Sequence, residues 1–246
     1  MPRSVWWGLV PPASIVLVVF GIELLPGSAD ALAWLALLTV PPLAALALGA
    51  LLRGSRPWWA FAAVPLFALA WAAQGSLAGE TAATALTALA CVALGWLLVS
   101  VVPAHWLRWG IYAMAAIDAV LVGAELLQGP SSVLVAAEPG GLPRLQVLEF
   151  GAARMGFGDA FLAATVGCLL TRWRARQLEA AAVLAVLGLA FDLLFFALDT
   201  LPATVPVALA LALVEARSRR RSVRVTDQGD GVDRRKAGDR QPDPQP

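Results

Sequence analysis

Residues 81–102 read TAATALTALACVALGWLLVSVV, 22 consecutive positions without a charged side chain. A helix needs about 20 apolar residues to cross the bilayer core. Because no water is available there, every backbone N–H and C=O must find a partner within the segment, which an α-helix provides. This stretch therefore predicts a membrane-spanning helix, and it sets the class of the whole chain.

The same pattern recurs along the sequence. Of the 246 residues, 59% are hydrophobic and 14% are charged, whereas soluble domains carry about a quarter charged residues. We therefore predict an all-α fold, a polytopic transmembrane helical bundle of about eight spans. The predicted spans cover residues 5–25, 31–52, 57–75, 81–102, 106–127, 153–171, 178–198 and 201–216.

The segments between these spans carry charge unevenly. One side of an eight-span bundle is basic, with Arg3, Arg53, Arg56, Arg108, Arg172, Arg174, Arg176 and the cluster at 217–221. The other side is acidic apart from two arginines, with Asp30, Glu80, Glu138, Glu149, Asp199, Arg144 and Arg154. By the positive-inside rule, the N- and C-termini are both cytoplasmic. Lys236 is the only lysine, and the other basic side chains are nearly all arginine. Together with the abundance of Ala, Leu, Val and Gly, this bias suggests a GC-rich bacterial genome, so we expect a bacterial plasma membrane as the location.

The chain divides into three predicted parts. Residues 1–104 form a four-span scaffold, and residues 105–216 form a four-span core. Within the core, residues 128–152 make an outer loop with two β-prone stretches, Ser132–Val135 and Leu145–Val147. Residues 217–246 are polar and charged, which predicts a disordered basic cytoplasmic tail.

Histidine and cysteine are scarce. His105 is the only histidine, and Cys91 and Cys168 both lie within apolar runs. These counts argue against an HExxH metalloprotease, Ser–His catalysis, a disulfide framework and a metal centre. We expect no cofactor and no nucleic-acid partner, and we expect the lipid bilayer as the surroundings.

Three aspartates lie within the predicted spans, away from the span ends, where ionisable groups are costly and mark functional sites: Asp118, Asp159 and Asp192. At about 1.5 Å per residue, Asp118 and Asp159 lie roughly 14 Å and 9 Å from the same membrane face, on antiparallel spans five and six. Two facing carboxylates share a proton, so one acts as a base toward water and the other as an acid toward a peptide carbonyl. Asp192 is either a structural aspartate or a sign that a different pair is catalytic.

The residues before Asp159 form a motif. Gly156 and Gly158 remove side chains on either side of Phe157, which allows a helix or a substrate backbone to come close. The stretch Gly156-Phe157-Gly158-Asp159, with Asp118 on the preceding span, resembles the GxGD intramembrane aspartyl proteases, the presenilin and signal peptide peptidase group.

That family also carries a Pro-Ala-Leu motif at the start of its last helix. Here the last span opens LPATVPVAL over residues 201–209. Its preferred counterpart is Pro202-Ala203-Thr204, because this stretch lies on the same membrane side as the second aspartate. The alternative is the interrupted PVAL at 206–209.

The sequence departs from the family at three points. Ile117 precedes the first aspartate where the family usually has tyrosine, and Thr204 replaces the leucine of Pro-Ala-Leu. The eight predicted spans compare with nine in the family. The resemblance covers about residues 105–216.

The resemblance implies a membrane-embedded aspartic endopeptidase with a presenilin-like helix arrangement and with Asp118 and Asp159 as catalytic residues. The other active-site and substrate-binding residues that it implies are Gly156, Phe157, Gly158, Pro202, Ala203 and Thr204. A cytoplasmic C-terminus corresponds to the signal-peptide-peptidase orientation, which favours transmembrane peptides or signal-anchor remnants as substrates. The β-prone stretches of the outer loop then offer strands to an unwound substrate.

Two other functions fit parts of the pattern. A prepilin peptidase also uses a GxGD aspartate, but usually with a following lysine, a wider gap between aspartates and a cytoplasmic site. Here Ala160-Phe161 follows, and 41 positions (159 minus 118) separate the two aspartates. A non-enzymatic protein coupled to protons or cations is the other alternative, with Asp118, Asp159 and Asp192 as the relay. The sequence leaves the oligomeric state open.

Overall fold

The computed structural model describes residues 27–124, 140–151, 153–171, 174–193 and 202–218, and these are mainly helical. The first half contains α1 (Ser28–Leu46) with a π-helical turn (Ala47–Leu51), a 3₁₀ turn (Pro57–Ala62) leading into α2 (Ala63–Ala72), and α3 (Leu77–Val101). The second half contains α4 (Ala104–Gly123), β1 (Val147–Phe150), β2 (Ala153–Gly156), α5 (Phe157–Leu169), α6 (Arg174–Asp192) and α7 over residues 204–218. The prediction of a mainly helical chain is confirmed.

Three helices are long and apolar enough to cross a membrane. They are Ser28–Leu51, Leu77–Val101 and Ala104–Gly123, while Pro57–Ala72 and Phe157–Leu169 are shorter apolar helices. Large apolar side chains lie exposed on them, such as Leu38 at 69% and Phe61 at 75%. Soluble monomers rarely expose continuous apolar surface of this kind. Both observations indicate membrane association.

Helix ends follow from local sequence. Ser76 precedes α3, and its hydroxyl accepts a hydrogen bond from the Gly79 N–H at 3.2 Å. This is the side-chain cap that helix N-termini favour, because their first N–H groups lack partners within the helix. Pro57 and Pro103 stand at the starts of the 3₁₀ turn and of α4, where a missing N–H costs nothing.

The predicted sixth span, 153–171, is not helical throughout. Its first four residues form β2, which pairs antiparallel with β1 in a hairpin, with Val147 opposite Gly156 and Phe150 opposite Ala153. Gly151 adopts a φ of 59° at the turn, a conformation that glycine adopts without strain. The helix therefore starts at Phe157, and Asp159 is its third residue rather than lying one and a half turns inside a span. The second β-prone stretch, Leu145–Val147, overlaps β1 at Val147 only.

Several predicted features lie outside the described residues. These are the first span at 5–25, the stretch Ser132–Val135 and the tail beyond residue 218. Residues 217 and 218 belong to α7, so the helix continues past the predicted boundary at 216.

The buried apolar side chains form two main clusters. One cluster joins α1, α2 and α3 with Leu145 of the loop, and the other joins α4, α5, α6 and α7. The two meet where α3 packs on α5. A Cβ atom at Gly95 would lie only 3.0 Å from the Thr165 nitrogen, so glycine permits the close approach of these two helices.

One end of the second cluster carries charged contacts between helices. Arg108 of α4 pairs with Glu215 of α7 at 2.7 Å, and Arg217 of α7 pairs with Glu179 of α6 at 3.0 Å. Arg53 donates to the Thr171 carbonyl at 3.1 Å at the end of α5. We call this the basic end, and its arginines all belong to the predicted basic side of the bundle.

Candidate functional site

Three helices of the second cluster each place a polar residue at the end opposite the basic end. On α4 the buried stripe Leu107, Ile111, Met114 and Ala115 continues to Asp118. On α5, Asp159 lies one turn before the buried Leu162. On α7, Thr204 lies one turn before the buried Val207 and Ala208. Residues three and four apart share a helix face, so all three polar side chains point to the same side as the apolar core.

The carboxylate of Asp118 is hydrogen-bonded to Thr204. The Thr204 hydroxyl donates to Asp118 Oδ2 at 2.6 Å, and the Thr204 backbone N–H points to the same oxygen at 3.3 Å. Thr204 is buried, with 4% of its surface exposed. The hydroxyl distance is in the range of about 2.5–2.7 Å that is typical of hydroxyl donors to a charged carboxylate.

The start of α7 explains why these two residues meet. Pro202 lies just before the helix, and its carbonyl accepts a hydrogen bond from the Val205 N–H at 3.2 Å. The Thr204 N–H is one of the first four helical N–H groups, which have no partner within α7. Asp118 supplies an acceptor from another helix, and the positive end of the α7 dipole favours negative charge there.

Asp159 lies in the first turn of α5, three residues after the N-cap Gly156. This is the position from which an acidic side chain can reach back toward the N-cap residue. A Cβ atom at Gly156 would lie 3.2 Å from Asp159 Oδ2. Glycine at this position therefore leaves room for the carboxylate.

The two aspartates are neighbours. Each is half-buried, and the Asp118 carboxylate lies close enough to oppose a negative charge on Asp159. Two neighbouring carboxyl groups are the arrangement that acid–base hydrolysis uses, with one group ionised and the other protonated. The arrangement can therefore supply a base and an acid side by side.

The other predicted site residues lie around this pair. Phe157 is half-buried and packs against the first cluster, and the Cys91 thiol contacts its carbonyl oxygen at 3.9 Å. Gly158 is exposed, with no atom within 4 Å of a Cβ built there. Pro202 and Ala203 are half-buried beside Thr204.

Two residues from the sequence alternatives have defined places in the helices. Pro206 is buried as the third residue of α7, two positions after Thr204. Asp192 is the last residue of α6. Within the described residues, no three His, Cys, Asp or Glu side chains come together as a metal site requires.

A polar stripe on α3 is a feature that the sequence reasoning missed. It consists of Glu80, Thr84, Thr87 and Cys91, spaced i, i+4, i+7 and i+11 on one helix face. Glu80 accepts from the Gly151 N–H at 2.8 Å. Thr84 donates to the Glu149 carbonyl at 2.8 Å and Thr87 to the Leu145 carbonyl at 3.1 Å. The helical spacing of polar residues within an apolar run was the available signal.

This stripe holds non-helical backbone deep against α3. The helix has 25 residues, so it is about 37 Å long at about 1.5 Å per residue. Thr87 lies ten residues from the first, Leu77, or about 15 Å along the helix. A bilayer core is about 30 Å thick, and non-helical backbone at such depth is tolerated only where protein or water satisfies it. The threonine hydroxyls supply two of those partners.

Charged residues complete the attachment of the hairpin. Glu149 of β1 pairs with Arg144 at 3.5 Å and with Arg154 of β2 at 3.2 Å. A cavity of about 340 Å³ between α2, α3 and the loop before β1 is lined by Glu80, Arg144 and Glu149, among others. None of the predicted site residues lines this cavity. These charges therefore join the two strands and the preceding loop to one another, while the polar stripe holds them against α3.

No protein-family model, curated protein or solved structure matches the chain. The resemblance to the GxGD proteases therefore rests on residues of this chain alone, and the activity that it implies is a proposal.

Proposed function

We propose that this protein is an intramembrane aspartic protease that hydrolyses peptide bonds within transmembrane segments. The observation that carries the proposal is the meeting of Asp118 and Asp159 at one end of the four-helix cluster. The start of α7 joins them there through Thr204. The resemblance to the GxGD proteases implies an active site built from these same segments, which carry Asp118, Asp159 and Thr204.

The chemistry needs one ionised and one protonated carboxyl group. The ionised carboxylate takes a proton from water while the water oxygen bonds to the peptide carbonyl carbon, and the protonated carboxyl gives its proton to the carbonyl oxygen. The tetrahedral intermediate then collapses. Its C–N bond breaks, the nitrogen leaves with the proton that the base had taken, and a hydroxyl group of the intermediate returns its proton to the carboxylate that had acted as the acid. No metal or cofactor enters these steps.

The proposal includes eight spans in a presenilin-like arrangement in a bacterial plasma membrane, with both termini cytoplasmic. Arg53, Arg108 and Arg217 lie at the basic end, and the aspartate pair lies at the opposite end of the cluster. By the positive-inside rule the basic end faces the cytoplasm. This orientation is that of signal peptide peptidase, and it argues against a prepilin peptidase, whose aspartates lie near the cytoplasmic face.

The hairpin supplies a candidate site for the substrate backbone. In the described residues the sheet has two strands, so the second edge of β2 has no strand partner there, and β2 leads directly into Gly156 and Asp159. A peptide bond must leave its helix before water can attack it, because helical carbonyls are hydrogen-bonded and covered. An unwound substrate segment, such as a signal-anchor remnant, would pair with β2 and bring its carbonyl to the aspartates.

The first four predicted spans then act as the scaffold of the active site. The polar stripe of α3 holds the hairpin, and Gly95 seats α5 against α3. Both contacts fix elements that lead to Asp159.

Purified protein in liposomes, incubated with a fluorogenic peptide that spans a signal-anchor helix, tests this function. We expect cleavage within the apolar segment, identified by product mass, and its loss in Asp118→Asn and in Asp159→Asn. Asp192→Asn is the matched control and keeps activity. Cleavage that survives in either of the first two variants would refute the assigned pair. If no tested helix is cleaved, and proton or cation binding depends on all three aspartates, a proton- or cation-coupled protein would be favoured instead.

A further inference from the structure

We infer that Thr204 is a positioning residue that holds Asp118 as the ionised base of the pair and leaves Asp159 as the protonated acid. This inference rests on the proposed function, and it assigns the role of base to one aspartate and the role of acid to the other. Thr204 stands where the Pro-Ala-Leu motif of the resembling family has leucine, so the hydroxyl is a feature of this chain.

The contacts of the two carboxylates differ. Asp118 Oδ2 accepts from both the hydroxyl and the backbone N–H of Thr204, whereas Asp159 Oδ2 lies beside Gly156 at the start of α5. Donors directed at a carboxylate favour its charged form. A hydroxyl at 2.6 Å is the strongest of these contacts.

The helix dipoles do not decide between the two aspartates. Asp159 lies in the first turn of α5, and Asp118 lies against the first turn of α7. Each carboxylate therefore experiences the positive end of a helix, so the dipoles favour charge on both. The Thr204 hydroxyl is a further donor to Asp118, and it favours charge there.

Thr204 also fixes where Asp118 lies. Arg108 and Glu215 join the basic ends of α4 and α7, while Asp118 and Thr204 join them ten residues further along α4. The two contacts together set the register of the antiparallel pair. From the described parts of the neighbouring helices, the titratable group that faces Asp118 is Asp159.

The test compares Thr204→Val, which keeps the shape and removes the hydroxyl, with Thr204→Ser, which keeps the hydroxyl. In liposomes, the pH dependence of peptide cleavage is measured for both variants and for the wild type. Losing a donor makes ionised Asp118 less stable, so Asp118 takes up a proton at higher pH. We expect the acid limb of the Thr204→Val profile to move upward by about one pH unit and that of Thr204→Ser to stay in place.

A second readout does not depend on proteolysis. Infrared difference spectra of the protonated carboxyl band, assigned by its loss in Asp118→Asn, follow the titration of Asp118 directly. We expect the midpoint in Thr204→Val to rise by about one pH unit. Equal midpoints in wild type, Thr204→Ser and Thr204→Val would overturn the inference. Absent cleavage in the wild type would refute the proposed protease, whatever the infrared titration gives.

Discussion

The contact between α3 and α5 gives the sharpest test of the packing that positions the second aspartate. A Cβ atom at Gly95 would lie 3.0 Å from the Thr165 nitrogen and 3.1 Å from its Cα, and ordinary contact begins at 3.4 Å. In Gly95→Ala the two helices must therefore separate by about 0.4 Å (3.4 minus 3.0), because backbone atoms cannot rotate away as a side chain does. Overpacking of this kind costs about 1–3 kcal/mol.

Alanine also favours a helix over glycine by about 1 kcal/mol, so a matched variant is needed. Gly188→Ala in α6 provides it, since a Cβ there meets no atom within 4 Å. Both variants receive the same helical gain, and the difference between them isolates the packing cost. At about 2–4 °C per kcal/mol, we expect Gly95→Ala to unfold roughly 5 °C below Gly188→Ala.

The chain contains its own reporter for this measurement. Cys91 of α3 and Cys168 of α5 are both buried, and they are the only cysteines in the sequence. A dye that fluoresces on reaction with thiols therefore reports their exposure as the detergent-solubilised protein is heated. Equal unfolding temperatures for the two alanine variants would refute the close approach of α3 and α5.

Two further pairs of variants test the site and its support. Gly156→Ala places a Cβ 3.2 Å from Asp159 Oδ2, and since a 1 Å misplacement costs about a hundredfold, we expect kcat for peptide cleavage to fall about tenfold. Gly158→Ala, with open space around it, should change KM rather than kcat, and the reverse pattern would contradict this geometry. Thr87→Val leaves a buried loop carbonyl without its donor, costing about 1–3 kcal/mol, and lowers the unfolding temperature by several degrees. Thr39→Val removes only a hydroxyl bonded within its own exposed helix and should change that temperature little; similar shifts in both would show that the Thr87 contact adds no stability.

The sequence was sufficient for the helices and insufficient for the hairpin. Long apolar runs leave a chain few options in lipid, and the helices around 81–102 and 106–127 follow from that constraint alone. Residues 153–156 are predicted to begin a span, but they form β2 because β1 offers partners to their backbone, and Thr84 of α3 holds β1 in turn. Strand formation depends on such tertiary partners more than helix formation does. These partners are distant in the chain, so they could not be identified from the sequence alone.

The candidate site could likewise be predicted from the sequence only in part. The spacing of Asp118 after Met114, and of Asp159 before Leu162, places both aspartates on core-facing sides of their helices. Asp118 meets Thr204 because α4 and α7 pack in one particular register, and the same register brings Arg108 to Glu215. Nothing in the local sequence fixes that register. The hydroxyl contact to Asp118 could therefore be found only once the helices were seen together.

The central claim is that Asp118 and Asp159 together bind the tetrahedral transition state of peptide-bond hydrolysis. A peptide analogue with a hydroxyl group in place of the scissile carbonyl tests this most directly, because its binding requires both carboxylates but no knowledge of the natural substrate. Transition-state analogues bind at least about a hundredfold more tightly than substrates. We predict that the wild type in liposomes binds the analogue and that Asp118→Asn and Asp159→Asn each weaken its binding by about a hundredfold or more. Equal affinity in the wild type and in both folded variants would contradict the account.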